Sequence, residues 1–274
     1  MEVNYEDLRN KAKDIRIEVI KAIYRAESGH PGGSLSAADM MAVLYFHTLN
    51  IDPKNPKMTN RDKFVLSKGH AAPVLYAALA LRGFFPKEEL STLRVLGSRL
   101  QGHPDMKKLP GIEMSTGSLG QGISTAVGMA LAGKLDGSTG RVYAMVGDGE
   151  LQEGIVWEAV MAASHNNLDN LTVLVDWNGI QLDGRNDDIM KVSPLDDKFR
   201  SFGWDTCVID GHDVKAIAEA LDKAGQHKGK PFAIIAKTKK GKGVSFMEDT
   251  NAWHGKAPDS EQIKQAVTEL GGEW

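Results

Sequence analysis

Apolar residues recur every three or four positions between residues 5 and 27, where Leu8, Ala12, Ile15, Val19, Ala22 and Ile23 share one stripe. That spacing predicts an amphipathic helix. The stripe stops at SGHPGGS, whose glycines and proline predict a loop. SAADMMAVLYFHTL resumes the helical pattern, with Ser36 placed to act as its N-cap. Residues 50–62 are polar and turn-rich, and KFVLS at 63–67 is a short β-like run. KGHAAPVLYAALALRGFF turns on a glycine and becomes an Ala/Leu helix. A small helix near 87–95 leads into GSRLQGHPDMKKLPGIEMSTGSLGQG, a long loop of the kind that is often functional. ISTAVGMALAGKL reads as a small-residue helix suited to close packing.

Strands and helices then alternate. RVYAMVGDG is a strand entering a tight turn, and ELQEGIVWEAVMAASHNN is a helix. LTVLVDWNG reads as a second, buried strand. GWDTCVID and PFAIIAK add two more, with a helix near 213–225 between them. Apolar β-branched runs alternating with helices predict a doubly wound α/β fold, a mainly parallel sheet with helices on both faces. KTKKGKGVSFMEDTNAWHGKAP is a further Gly-rich loop after a strand, and a short helix near 259–269 follows. There is no internal repeat, low-complexity segment or dividing linker, so residues 1–274 are expected to form a single domain.

Composition narrows the function classes. The chain has 274 residues, 42% hydrophobic and 25% charged, which is the balance of a soluble globular protein. A net charge of −3 gives no basic surplus for nucleic acid or anionic lipid. The single cysteine, Cys207, excludes an intrachain disulfide framework and a Cys-based zinc cluster, and it fits a reducing, cytoplasmic setting. The first residues carry charges throughout and hold no apolar signal core. No apolar run approaches the roughly 20 residues that span a membrane.

The clearest chemistry lies in the turn Gly147-Asp148-Gly149. Ligands of parallel α/β sheets sit beyond the carboxyl ends of strands. Asp148 is at such an end, before a helix whose N-terminus attracts anions. A carboxylate and an anion repel each other there unless a divalent cation lies between them. Magnesium is commonly held by one or two carboxylates together with phosphates. Glycines would let backbone approach those phosphates closely. Asn178 ends the next strand and could share the cation, and Ile180 beyond it could offer a backbone carbonyl. Taken singly, Asp148 reads as a helix cap and Asn178 as a turn residue. Taken as a pair at matching strand ends, they read as metal ligands. No GxxxxGK[ST] occurs, and GDGELQEG has the wrong spacing for a dinucleotide fingerprint.

Of the eight histidines, four sit beside glycine in or at the start of loops: His30, His70, His103 and His254. Imidazoles donate to phosphates and hydroxyls and move protons near neutral pH. Four in similar settings point to one shared cleft. Their spacing fits no zinc motif, and there are no cysteine partners.

With these residues assembled, the chain resembles the N-terminal, pyrophosphate-binding domain of transketolase. SGHPGGSLS, LSKGHAAPVLYAAL, GHPD, STGSLGQGIS and GDGELQEGIVWEA match its pattern in order, and Gly147-Asp148-Gly149 through Asn178 resembles the thiamine diphosphate signature. The resemblance runs from about residue 8 to 256. Trp177-Asn178 stands where many relatives have Asn-Asn, so the liganding asparagine survives. The resemblance implies that Asp148, Asn178 and the Ile180 carbonyl bind Mg²⁺, or Ca²⁺ or Mn²⁺ in its place. The ion would hold the diphosphate with help from the turn glycines Gly147 and Gly149 and from His70 and His254. His30, His70, His103 and His254 would line the donor-sugar site, with Leu119 close to the cofactor rings. Glu153 and Glu158 resemble acidic residues that link two cofactor sites across paired subunits. Read alone, both are ordinary helix-dipole and surface charges.

The implied reaction transfers a two-carbon ketol unit from a ketose phosphate to an aldose phosphate. 1-Deoxyxylulose-5-phosphate synthase shares this domain order, but SGHPGGSLS and GSLGQG look more like transketolase. In the family, the glutamate that activates the aminopyrimidine ring lies in a second domain, and no residue here matches it. The chain is therefore expected to be the N-terminal subunit of a split transketolase, joined by a separate C-terminal subunit in an α2β2 assembly. The alternatives are a transketolase-like or 1-deoxyxylulose-5-phosphate synthase-like subunit with a different substrate, a thiamine diphosphate-binding module without catalysis, and a nucleotide or sugar-phosphate enzyme with no thiamine cofactor.

Overall fold

The computed structural model describes residues 3–274. Helix α1 (Tyr5–Ala26) starts where Asn4 accepts from the Asp7 amide, and it ends at Glu27 in the left-handed region. Its stripe of Leu8, Ala12, Ile15, Val19, Ala22 and Ile23 is buried as the spacing predicts. Helix α2 (Pro31–Val43) corrects the expected loop, because SGHPGGS enters the helix instead of preceding it. Pro31 occupies the first turn, where its fixed φ suits a helix start and its missing N–H costs nothing. Ser36 therefore lies inside the helix rather than capping it, and its hydroxyl donates to Asp176 at 2.6 Å.

Five strands, β1 (Lys63–Leu66), β2 (Val142–Gly147), β3 (Leu171–Trp177), β4 (Asp205–Asp210) and β5 (Phe232–Lys237), form one parallel sheet in the order β1-β2-β3-β5-β4. β3 sits at the centre and is buried on both faces for six residues, as a near-continuous apolar run requires. β2 pairs with β3 up to Gly147 opposite Asp176, so the turns after the two strands are neighbours.

Two cores confirm the doubly wound reading. On one face, α1, α2, α3 (Ala72–Arg82), α8 (Val214–Gln226) and α9 (Ser260–Glu269) pack around Ile15, Met40, Leu79, Leu221 and Ile234. On the other, α4 (Gln121–Leu135), α5 (Gly154–His165) and α7 (Leu195–Ser201) pack around Ile123, Val160, Phe199 and Trp204. The four-residue α6 (Asn186–Ile189) lies in the connection after β3.

Two further expectations change in detail. The helix expected near 87–95 is a 3₁₀ stretch over Lys87–Thr92. The helix expected from Glu150 is interrupted: a 3₁₀ turn covers Gly149–Gln152, Glu153 is extended, and α5 begins at Gly154. The break lets Glu150 turn its side chain inward, where it is buried. Among the described residues, no helix is long and apolar enough to cross a membrane.

Candidate functional site

Every candidate residue but those on α5 follows a strand at its carboxyl end or lies in the loops alongside. A cleft of about 350 Å³ opens there, bounded by Lys68 and His70 after β1, Asp148 and Gly149 after β2, Asn178 and Ile180 after β3, and Lys240 and His254 after β5. Asp148 is 2% exposed. One carboxylate oxygen accepts from the Gly149 amide at 2.8 Å and the other from the Gly179 amide at 2.5 Å. Gly179 lies between Asn178 and Ile180, so this bond ties the β2 turn to the β3 turn. Asn178 accepts from the Ile180 amide at 3.1 Å through its side-chain oxygen. At Gly149 a β-carbon would come within 3.1 Å of the Gln181 β-carbon, so the two turns approach closely where this residue has no side chain.

Burial, with the charge of Asp176 added to it, raises the Asp148 carboxyl to about 6. Asp148, Glu150 and Asp176 are buried carboxylates, and Lys68 and Lys240 are buried ammonium groups, so the floor of the cleft is short of positive charge. Asp176 is fully buried and satisfied: Lys68, Ser36 and Thr238 all donate to it. Burial opposes its charge, but Lys68 and these hydrogen bonds hold its carboxyl below the usual range. Lys68 also donates to the Gly33 carbonyl at 2.7 Å. Lys240 donates to the Ile180 carbonyl at 2.8 Å and meets His254 Nδ1 at 2.8 Å. Burial lowers the Lys240 ammonium to about 8.

Three of the four singled-out histidines form a cluster. Ring centroids are 5.3 Å apart for His30 and His70, 5.5 Å for His30 and His254, and 5.2 Å for His70 and His254. Burial first, then nearby cationic side chains, lowers His30 to about 4 and His254 to about 3, and drives His70 well down. All three are neutral at physiological pH and serve as weak donors and acceptors; His70 and His254 line the cleft, and His30 packs edge-on against both of them. His30 Nδ1 is buried and has no hydrogen-bond partner among the described residues. His103 stands outside this cluster, exposed on an adjoining groove with Gln101, Pro104, Asp105 and Ser115. Burial and Arg94 lower its imidazole, and its own charge is felt at His30.

The family profile for the thiamine diphosphate binding domain of transketolase matches residues 8–274. The chain belongs to the transketolase family. It is 47% identical to the 6-deoxy-6-sulfo-D-fructose transketolase subunit SqwG of Clostridium sp. (strain MSTE9), over 96% of each chain. It is 39% identical to an apulose-4-phosphate transketolase subunit of Phocaeicola vulgatus, over 97% of this chain and 94% of that one. The crystal structure of transketolase from Campylobacter jejuni superposes with a TM-score of 0.92 at 36% identity, with all of this chain covering 44% of that one.

The transketolase cofactor calls for a divalent cation and a diphosphate, and the oxygen donors of the cleft fit the cation in type, with the Ile180 carbonyl held by Lys240. One carboxylate, one amide oxygen and one backbone carbonyl line the same cleft, an all-oxygen set that suits Mg²⁺. Among the described residues, no cluster of three or more His, Cys, Asp or Glu side chains could hold a metal. Leu119 and Glu153 line the cleft, and Glu158 lies outside it on the exposed side of α5. Trp177, the departure from the Asn-Asn pattern, packs under the Lys237 ammonium at 5.4 Å.

Lys68, Glu150, Asp176 and Lys240 were not singled out from the sequence. Lys68 lies inside SKGHAAP and Lys240 inside KTKKGKG, where one buried lysine cannot be told from solvated neighbours. Asp176 is the last buried residue of β3, and a charge at the end of an otherwise apolar run was the available signal.

Proposed function

We propose that this chain is the cofactor-holding subunit of a two-component transketolase and works with a separate C-terminal subunit in an α2β2 assembly. One observation carries the reading: a buried carboxylate short of positive charge is tied through Gly179 to the turn bearing Asn178 and Ile180, beside a cluster of neutral histidines. Near full-length similarity to proteins that are themselves named as parts of transketolases supports the two-component arrangement. α5 supports pairing, since it leaves Glu158 and Met161 exposed on its outer side.

In this reading Asp148, Asn178 and the Ile180 carbonyl hold Mg²⁺, and Lys240 adds positive charge for the diphosphate. The Gly147 and Gly149 backbone, His70 and His254 complete the diphosphate wall, and Leu119 packs against the cofactor rings. Bound thiamine diphosphate supplies a nucleophilic carbon for cleaving a ketose between its second and third carbons. His30, His70, His254 and, from the adjoining groove, His103 hydrogen-bond the hydroxyls of the donor sugar. Neutral imidazoles accept hydroxyl protons as well as donate to oxygen, which cationic ones cannot do. Glu153 faces the cofactor and, with Glu158, approaches the paired subunit.

The donor class has a second reading. The 47% identity to a subunit named for 6-deoxy-6-sulfo-D-fructose, against 39% to one named for apulose 4-phosphate, favours a sulfonated ketose alongside ketose phosphates. Mixing the chain with its C-terminal subunit, thiamine diphosphate and Mg²⁺ is expected to give ketol transfer to an aldose phosphate that neither protein gives alone. Running xylulose 5-phosphate and 6-deoxy-6-sulfofructose as rival donors assigns the class. Light scattering on the same mixture is expected to give the mass of two copies of each chain. Full turnover by the isolated chain would overturn the proposal.

A further inference from the structure

Glu150 has a place that nothing in the reaction requires of it. It follows the metal-ligand turn by two residues and is 2% exposed. Its carboxylate collects three donors from three separate segments. One oxygen accepts from the Ser67 hydroxyl at 2.5 Å and from the Gly120 amide at 2.8 Å. The other accepts from the Gly147 amide at 3.1 Å. The Ser67 hydroxyl in turn accepts from the Ile123 amide in the first turn of α4 at 3.0 Å. The junction has no slack: a β-carbon on Gly122 would lie 2.5 Å from the Ser67 α-carbon.

Each donor adjoins a wall of the cleft. Ser67 precedes Lys68 and His70. Gly120 follows Leu119. Gly147 precedes Asp148. Burying a carboxylate is costly unless it is fully hydrogen-bonded, and an apolar residue would fill the same space without that cost. What the carboxylate alone provides is an acceptor for two backbone amides and a hydroxyl at one point.

We propose that Glu150 is a positioning residue that fixes the His70, Leu119 and Asp148 walls of the cleft relative to one another, and so sets the affinity for the cofactor. The inference rests on the reading that the cleft holds thiamine diphosphate. Glutamine has the same shape but only one acceptor atom, so its NH₂ group must face at least one of these donors. Glu150→Gln therefore frees at least one wall while leaving the packing intact.

The test uses the full chain with its C-terminal subunit. In Glu150→Gln, amide exchange at Gly120 or Gly147 is expected to accelerate about tenfold or more, and the Kd for thiamine diphosphate at fixed Mg²⁺ to rise about tenfold to a hundredfold. Val160→Ala, a truncation in the core beneath α5, is expected to lower the melting temperature and leave that Kd at the wild-type value. Ser67→Ala removes one donor and keeps the carboxylate, so it is expected to weaken cofactor binding less than Glu150→Gln, and it serves if Glu150→Gln does not fold. Wild-type affinity in Glu150→Gln, or an equal loss in Val160→Ala, overturns the proposal. If the wild-type assembly binds no thiamine diphosphate, the functional reading fails. Amide exchange then decides the clamp by itself, and unchanged exchange at both Gly120 and Gly147 sinks it.

Discussion

Asp148 sits in the β2 turn with both carboxylate oxygens on backbone amides and no cationic side chain bonded to it. Asp148→Ala removes the one carboxylate from the proposed Mg²⁺ set. It is expected to weaken thiamine diphosphate binding by at least about a hundredfold at fixed Mg²⁺, the upper range for losing a charged contact. Calorimetry on the assembled protein measures this, and wild-type affinity would remove Asp148 from the metal site. Asp148, Asn178 and three clustered histidines were legible in the sequence because each adjoins glycine at the end of a recognisable strand or loop. Glu150 was not. In GDGELQEG it reads as an ordinary first-turn acid, and only the extended backbone at Glu153 reveals that the helix stops and the side chain turns inward. Asp176 and Lys68 were hidden for a related reason, since their meaning lies in a contact between distant segments.

Among the elements, α2 departs furthest from its sequence pattern. Two glycines and a proline suggest a loop, yet Gly32 is helical, and neighbouring chain crowds the place a side chain would take. Its amide donates to the Trp253 carbonyl at 3.0 Å, and its carbonyl accepts from the Gly241 amide at 3.0 Å. A β-carbon there would lie 3.0 Å from the Trp253 carbonyl oxygen and 3.1 Å from the Lys240 side chain. Gly32→Ala favours a helix by propensity, about 1 kcal/mol. The overpacking penalty of about 1–3 kcal/mol opposes this. A net loss of stability is expected in urea titration, together with weaker cofactor binding, because the contacts displaced carry Lys240 and His254. A stabilised variant would show that the neighbouring loop yields freely. The regular strands were predicted closely: β2, β3 and β5 are buried and announce themselves as apolar runs, while the partly exposed β4 was marked by its β-branched residues between turns. Loop-to-helix boundaries were not, because close approach of backbones leaves glycine in either setting.

Across the whole molecule, the buried histidines set a pH dependence. His30 lies near 4 and His254 near 3 in the folded chain, both below the usual 6.5. The unfolded chain therefore binds more protons between those values. The stability these neutral rings contribute is complete above about 6.5 and is lost as pH falls toward 4 and 3. Urea midpoints of the isolated chain are expected to drop from pH 7.5 to 5, and His30→Gln is expected to make that drop shallower. An unchanged slope would mean that His30 is as easily protonated folded as unfolded. The same scale gives the Asp176 junction a meaning beyond charge. One carboxylate receives Ser36 from α2, Lys68 from the end of β1 and Thr238 from the end of β5. Segments far apart in the chain thus share one fastening, which couples their loosening. The floor of the cleft is therefore expected to open as one unit of local unfolding, with amide exchange in the wall bearing His70 tracking that in the helix that begins beside His30.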